Sequence, residues 1–230
     1  MKKIVLFCFI FGLINSTFAD SRNFSFKIHN TKIDVRTPDG FYESSYILPE
    51  RLEMVETMFP DYLTVQAVLA PKGSSDNERI ARYYIFATPN KLDKRKISQK
   101  DFDGLRDLMR EQQYTLMNQH RDKIDAAIKE GSMKISNKNN IKYELTVDEI
   151  SPLGVFIDNK KAISFNTISN TDITVDGINL SFPQACTMSL VFLKNKLVYL
   201  YGYSDYDSER DITWIESKTN EAVSLLIRNN

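Results

Sequence analysis

The chain has 230 residues, with 30 Lys+Arg against 30 Asp+Glu and a formal net charge of zero. This balance excludes the basic footprint that nucleic-acid binding requires and a polybasic arm for a membrane surface. With 42% hydrophobic residues, the length suits one ordinary domain with a substantial core.

The N-terminus reads as a secretory signal peptide. Lys2 and Lys3 form a positive n-region, Ile4 to Ile14 an apolar h-region broken by Gly12, and Asn15 to Ala19 a polar stretch with Thr17 and Ala19 where a signal peptidase reads. Cleavage is expected after Ala19, so residues 1–19 are the signal peptide and residues 20–230 one globular domain. The apolar run falls short of the ~20 residues of a spanning helix, and no other stretch approaches that length, so no membrane span is expected. Cys8 lies inside the h-region and no Cys stands at the cleavage point, which leaves no site for a lipoprotein anchor. The short Lys-Lys n-region favours the periplasm. After cleavage Cys186 is alone and is either buried or paired with another molecule; burial is the reading adopted, since a free Cys behaves as a small apolar residue.

Phe24–Ile28 and Ile33–Val35 alternate apolar and polar residues and read as a strand pair around His29-Asn30-Thr31. Thr37-Pro38-Asp39-Gly40 is a turn signal, with Phe41 and Tyr42 as packing anchors. Pro49–Met58 reads as a short helix. Tyr62–Ala70 and Arg79–Thr88 read as strands around a Pro71–Asn77 loop. Ser98 opens the longest helix, with Asp101 completing a capping-box-like pair; it is expected to run to about Lys129 and to stop at Gly131. Ile141–Ile150, Val155–Asp158 and Lys161–Ile168 read as an antiparallel meander, and Ser169–Pro183 as less regular, with a turn at Asp176-Gly177. Thr187–Leu193 and Leu197–Tyr203 make the clearest hairpin, tipped by Lys194-Asn195-Lys196. A last helix spans Ser208–Ile227 and buries Ile212, Ile215, Thr219, Ala222, Val223 and Leu226. Strands arriving in runs with long amphipathic helices predict an α+β fold, a mostly antiparallel sheet covered by helices.

Catalytic and cofactor motifs are missing from the sequence. His29 and His120 lie far apart, no clustered His/Cys spacing suits zinc, and no Gly-x-Gly-x-x-Gly, P-loop or Gly-x-Ser-x-Gly string occurs. The expectation is a non-enzymatic protein without a cofactor. Tyr199, Tyr201, Tyr203 and Tyr206 form an aromatic stripe, the first three on one strand face. With Trp214 they are the candidate binding residues, or else a sheet face under a helix, beside Trp214. Asp205, Asp207, Glu209, Asp211 and Glu216 approximate the ligand spacing of a calcium loop. Arg210 stands where that loop needs Gly, and the run reads better as an acidic helix start, with Ser208 as N-cap and Asp211 at N3. No metal site is expected; these five remain the one calcium candidate.

The Thr37-Pro38-Asp39-Gly40-Phe41 segment, the helix carrying Phe102 and Leu105, the closing hairpin and a last helix ending in Ser224-Leu225-Leu226 together resemble the PsbP-like group, which includes bacterial envelope proteins of the DcrB type. The resemblance covers most of residues 24–228. It implies an α/β/α sandwich around an antiparallel sheet and a non-catalytic accessory or binding role. The chain lacks the lipobox Cys of DcrB-type proteins, so no membrane anchor is carried over. Two roles follow as expectations: an exported protein that binds another envelope protein, or a small-molecule or lipid carrier with a pocket between the sheet and the long helix.

Overall fold

The computed structural model describes residues 23–44, 49–74, 79–119, 121–148 and 150–230. The expected signal peptide and His120 lie outside the described residues. The elements in chain order are β1 (Asn23–Ile28), β2 (Thr31–Arg36), β3 (Phe41–Glu43), α1 (Pro49–Met58), β4 (Leu63–Pro71), β5 (Arg82–Pro89), α2 (Gln99–Gln119), α3 (Arg121–Asn139), β6 (Tyr143–Val147), β7 (Ser151–Asp158), β8 (Ala162–Val175), β9 (Ile178–Leu193), β10 (Lys196–Asp205) and α4 (Glu209–Arg228).

The fold is α+β, as the runs of alternating residues imply. Strands β3-β4-β5-β10-β9-β8 form an antiparallel sheet in that order, and β6 and β7 both pair with β8 along its far side. β1 and β2 form a separate hairpin. Period-2 alternation gives the sheet two apolar faces. On one face Val198 and Leu200 of β10 join Phe26, Ile33 and Val35 of the hairpin and Ala222, Val223 and Leu226 of α4. On the other, Ile163, Leu190 and Phe192 pack against Phe102, Leu105 and Met109 of α2, where the Phe102 and Phe192 rings stack at 5.3 Å. The sheet is therefore the middle of three layers, with α4 and the hairpin on one side and α1, α2 and α3 on the other.

Local chemistry places the ends of these elements. Ser98 N–H donates to Asp101 Oδ2 at 3.0 Å while Asp101 N–H donates to Ser98 Oγ at 3.1 Å, the reciprocal cap the sequence implies. Ser208 and Asp211 cap α4 in the same way. The buried residues of α4 are Ile212, Ile215, Thr219, Ala222, Val223 and Leu226, the stripe read from the sequence. Lys194 and Asn195 both take positive φ, 48° and 63°, which gives the β9–β10 hairpin a two-residue tip. Lys196 is already paired with Leu193. At the other end of the chain, Asn230 Nδ2 donates to Asp34 O at 2.7 Å and Asp34 N–H donates to Asn230 Oδ1 at 3.0 Å, tying β2 to the end of α4.

Three expectations are corrected. The long helix does not stop at Gly131: the described helices are α2 and α3, and α3 runs through Gly131 to Asn139. Gly131 is buried, and a Cβ there would sit 3.0 Å from Met58 Cα, so its bareness lets α1 approach α3. The stretch from Ser169 to Pro183 is not irregular; it continues β8 and β9 through an unbroken ladder to the Asp176-Gly177 turn, where φ is 49° and 86°. Nor do β6, β7 and β8 form a meander. β6 pairs with Thr171–Val175 and β7 with Ile163–Ile168, so the two short strands lie end to end beside one long one.

Candidate functional site

The tyrosines of β10 divide from the other predicted residues. Tyr199, Tyr201 and Tyr203 face the α1–α3 layer, while Val198, Leu200 and Gly202 face α4. Trp214 is on α4, at the opposite face, with its ring 6.2 Å from Phe41 and the Arg82 guanidinium 4.1 Å above it. Tyr206 packs there too, against Ala185, Ile212 and Ile215. The expected placement of the stripe beside Trp214 is thus corrected for Tyr199, Tyr201 and Tyr203, which the sheet separates from it, while Tyr206 shares a cluster with Trp214.

Beneath α1 and α3 the sheet leaves a cavity of about 420 Å³. Its floor carries Tyr83, Ile85, Tyr201 and Tyr203, with Leu145, Ile173 and Phe182 toward the β6–β8 side. Its roof is Val55 and Met58 of α1 with Ile124, Ala127 and Ile128 of α3. Met54 and Tyr62, 46% and 60% exposed, border the cavity at the solvent side. The aromatic rings fix one another: Tyr83 stacks on Tyr203 at 4.7 Å, Phe59 meets Tyr201 edge-on at 5.6 Å, and Tyr199 stacks on Tyr201 at 6.1 Å.

The roof is held by the edge of the sheet. β6 is an edge strand whose outward backbone groups have no strand partner, a position that proteins cover. Ser132 and Ser136, one turn apart on α3, do this. Leu145 N–H donates to Ser132 Oγ at 3.1 Å, Tyr143 N–H donates to Ser136 Oγ at 2.9 Å, and Ser136 Oγ donates to Tyr143 O at 2.9 Å. Arg121 extends the seam with hydrogen bonds to the carbonyls of Asp148, at 2.7 Å, and Val147.

None of the described residues lining the cavity is Asp, Glu, Lys, Arg or His. Burial pushes the hydroxyls of Tyr83, Tyr201 and Tyr203 well above the usual phenol range, because a phenolate loses its hydration there. Cys186, half-buried and paired across the ladder with Tyr203, has its thiol pushed up to about 12 by desolvation, opposed by hydrogen bonding with Tyr203 and Thr167. Thr171 also lines the cavity and is 6% exposed; its Oγ1 is fully buried and has no hydrogen-bond partner among the described residues.

The carboxylates of the calcium candidate are not drawn together. Asp205 forms a two-pronged pair with Arg79, one contact at 2.7 Å. Asp211 caps α4 and meets Arg82 at 3.1 Å. Glu216 accepts from Asn166 Nδ2 at 2.5 Å, while Asp207 and Glu209 are exposed. Among the described residues no group of three or more His, Cys, Asp or Glu is placed to hold a metal ion, and no helix is long and apolar enough to cross a membrane.

Compared with known proteins, the chain matches no family model and no curated protein. Among solved structures it is similar to the Ran-binding protein Mog1p of Saccharomyces cerevisiae, at 12% identity and a TM-score of 0.34, over 90% of this chain and 93% of that one. It is similar to the same degree to a mutant of Mog1, over 94% of that chain. A likeness of this size carries no argument about function. The resemblance to the PsbP-like group is withdrawn: no family model matches, and these structural neighbours are Mog1 proteins, not PsbP-like or DcrB-type ones.

Sequence reasoning found Tyr201 and Tyr203 but missed the roof. Ile124, Ala127 and Ile128 sit in the predicted long helix, yet their neighbours from α1 and β6 come from other segments of the chain. Thr171 carries no sequence signal, because it stands in the Ser169–Pro183 stretch that reads as less regular.

Proposed function

We propose that this chain is a non-enzymatic binding protein that carries a small, mainly apolar molecule in the cavity beneath α1 and α3, and that it works after export, in the periplasm. The observation that supports this most is the cavity itself. Its volume falls within the roughly 300–1,000 Å³ of small-molecule sites, and such sites are mostly apolar with a few placed polar groups. Among the described residues, Tyr62, Tyr83, Tyr143, Tyr201 and Tyr203 line it. Aromatic rings give large contact area at little rotamer cost. The signal-peptide pattern of residues 1–19 supports export, and an envelope protein would be the donor or acceptor of the cargo.

The test is extraction of the natively purified, periplasmic protein with organic solvent, followed by mass spectrometry. A recurrent apolar compound is expected, on a chain beginning at Asp20. In Ala127→Phe, which adds a ring to the roof, the compound should be lost while the melting temperature holds within a few degrees. An empty wild type whose melting temperature also ignores added apolar compounds would end the carrier reading.

A further inference from the structure

Resting on the carrier reading, we infer that α1 is the lid of the cavity: it opens by leaving α3 while the loop behind it stays pinned, and it closes over the cargo. The two roof helices are held in different ways. α3 is fastened to the sheet, since Ser132 and Ser136 hydrogen-bond the backbone of β6 and Arg121 donates to the carbonyls of Val147 and Asp148. α4, on the other face, buries six side chains, among them Ile215, Val223 and Leu226.

Among the described residues, α1 has neither kind of hold. From Leu52 to Met58 every residue is half-buried or exposed. Met54, Val55 and Met58 face the cavity rather than packed core. Atoms that face a void lack partners on that side and forfeit part of their dispersion attraction. With ten residues, the helix is also too short to be stable by itself. Segments with few buried apolar contacts are the ones that open at low free energy.

The contacts between α1 and α3 suit a lid. Glu53 pairs with Lys138, both exposed, and an exposed pair contributes little and is screened by salt. At Gly131 the two helices touch backbone to backbone, with no side chain interlocked between them. The loop that follows α1 is anchored instead. Asp61 pairs with Lys134 at 2.8 Å, Asn90 N–H donates to Tyr62 O at 3.0 Å, and Asn90 Nδ2 donates to Asp61 O at 2.7 Å. The pivot therefore falls at Phe59-Pro60, where the proline stops the helix. A swing about that point lifts Val55 and Met58 from the cavity and leaves the Tyr83, Tyr201 and Tyr203 floor in place.

Amide hydrogen exchange on the full mature chain tests the lid, with N-phenyl-1-naphthylamine as an apolar probe. In the unliganded protein the α1 amides of Glu53 to Met58 should exchange at least tenfold faster than those of Ile135 in α3 and Val223 in α4. Probe at about a hundred times its dissociation constant should slow the α1 amides at least tenfold, because opening then requires its release. Gly131→Ala sets a methyl 3.0 Å from Met58 Cα and 3.1 Å from its Sδ. It should unseat α1, so that the α1 amides exchange severalfold faster and the probe dissociates faster, while Val223 keeps its rate. The wild-type comparison decides the matter even if this variant does not fold. Exchange of α1 as slow as that of α3 and α4, or fast α1 exchange that bound probe does not slow, overturns the lid and leaves the carrier reading standing. If the probe neither binds nor shifts the melting temperature, the carrier reading falls and the lid with it.

Discussion

At Gly202 the sheet has no room for a methyl group: a Cβ there would lie 2.4 Å from Tyr84 Cε1 and 2.6 Å from Thr187 Oγ1. Both neighbours are committed. Thr187 Oγ1 and Thr219 Oγ1 share a hydrogen bond at 2.8 Å, and Tyr84 reaches the same Thr219 at 3.4 Å. Gly202→Ala must therefore displace a buried polar cluster between the sheet and α4. Overpacking of this kind costs about 1–3 kcal/mol, and urea unfolding of Gly202→Ala should show a lowered midpoint at an unchanged slope. A wild-type midpoint would mean that Tyr84 can move aside. This glycine was legible only as a member of the Leu197–Tyr203 strand and was not singled out, since Tyr84 and Thr187 arrive from two other strands. Tyr201 and Tyr203 were legible as one face of β10, but whether that face met packed core or open space depended on the distant α1 and α3.

The pairing of α3 with β6 is a different kind of contact from helix packing elsewhere in the molecule. Ser132 and Ser136 match a one-turn helical repeat to the two-residue repeat of the strand, with Tyr143 and Leu145 as partners. Ser132 is 4% exposed, so its replacement by Ala leaves the Leu145 amide unpaired at a cost of about 1–3 kcal/mol. Ser132→Ala with Ser136→Ala should lower stability by more than either alone, and should speed amide hydrogen exchange at Tyr143 and Leu145 specifically. Exchange unchanged at those two amides would show that the seam is not what holds α3. The elements themselves were largely readable: both capped helix starts, the stripe of α4 and the β9–β10 hairpin follow from local spacing. The failures share one cause. Gly131 reads as a stop, and Ser169–Pro183 as less regular, because local propensity points that way, and a tertiary neighbour overrides it. Met58 needs the space at Gly131, and β6 and β9 supply the ladder partners of Thr171–Val175.

Among the described residues, the α4 side of the sheet carries the larger hydrophobic cluster and the α1–α3 side a cavity, and the tyrosines sit on both sides of the sheet. Tyr84 toward α4, and Tyr83, Tyr201 and Tyr203 toward the cavity, all have hydroxyls raised above the ordinary value of 10 by desolvation. In the unfolded chain these groups titrate near 10, so above that pH the folded state binds more protons. Stability from this source is complete below pH 10 and is lost as pH rises beyond it. Tyrosinate absorbance at 295 nm from these buried rings should therefore rise only as circular dichroism reports unfolding. A single smooth titration with the dichroism intact would contradict the burial. The clasp between Asp34 and Asn230 has a consequence of another sort, one of time. It joins groups 196 residues apart, whereas β8, β9 and β10 are neighbours joined by tight turns. The three-stranded β8–β10 ribbon can form from local chain alone, while the hairpin layer must wait for α4 to arrive beneath it. Contacts of such long separation slow folding. A chain emerging from a ribosome or a translocation channel would pass through a stage with the central ribbon made and the apolar side of β1 and β2 still uncovered, the stage at which a chaperone would find the most to hold.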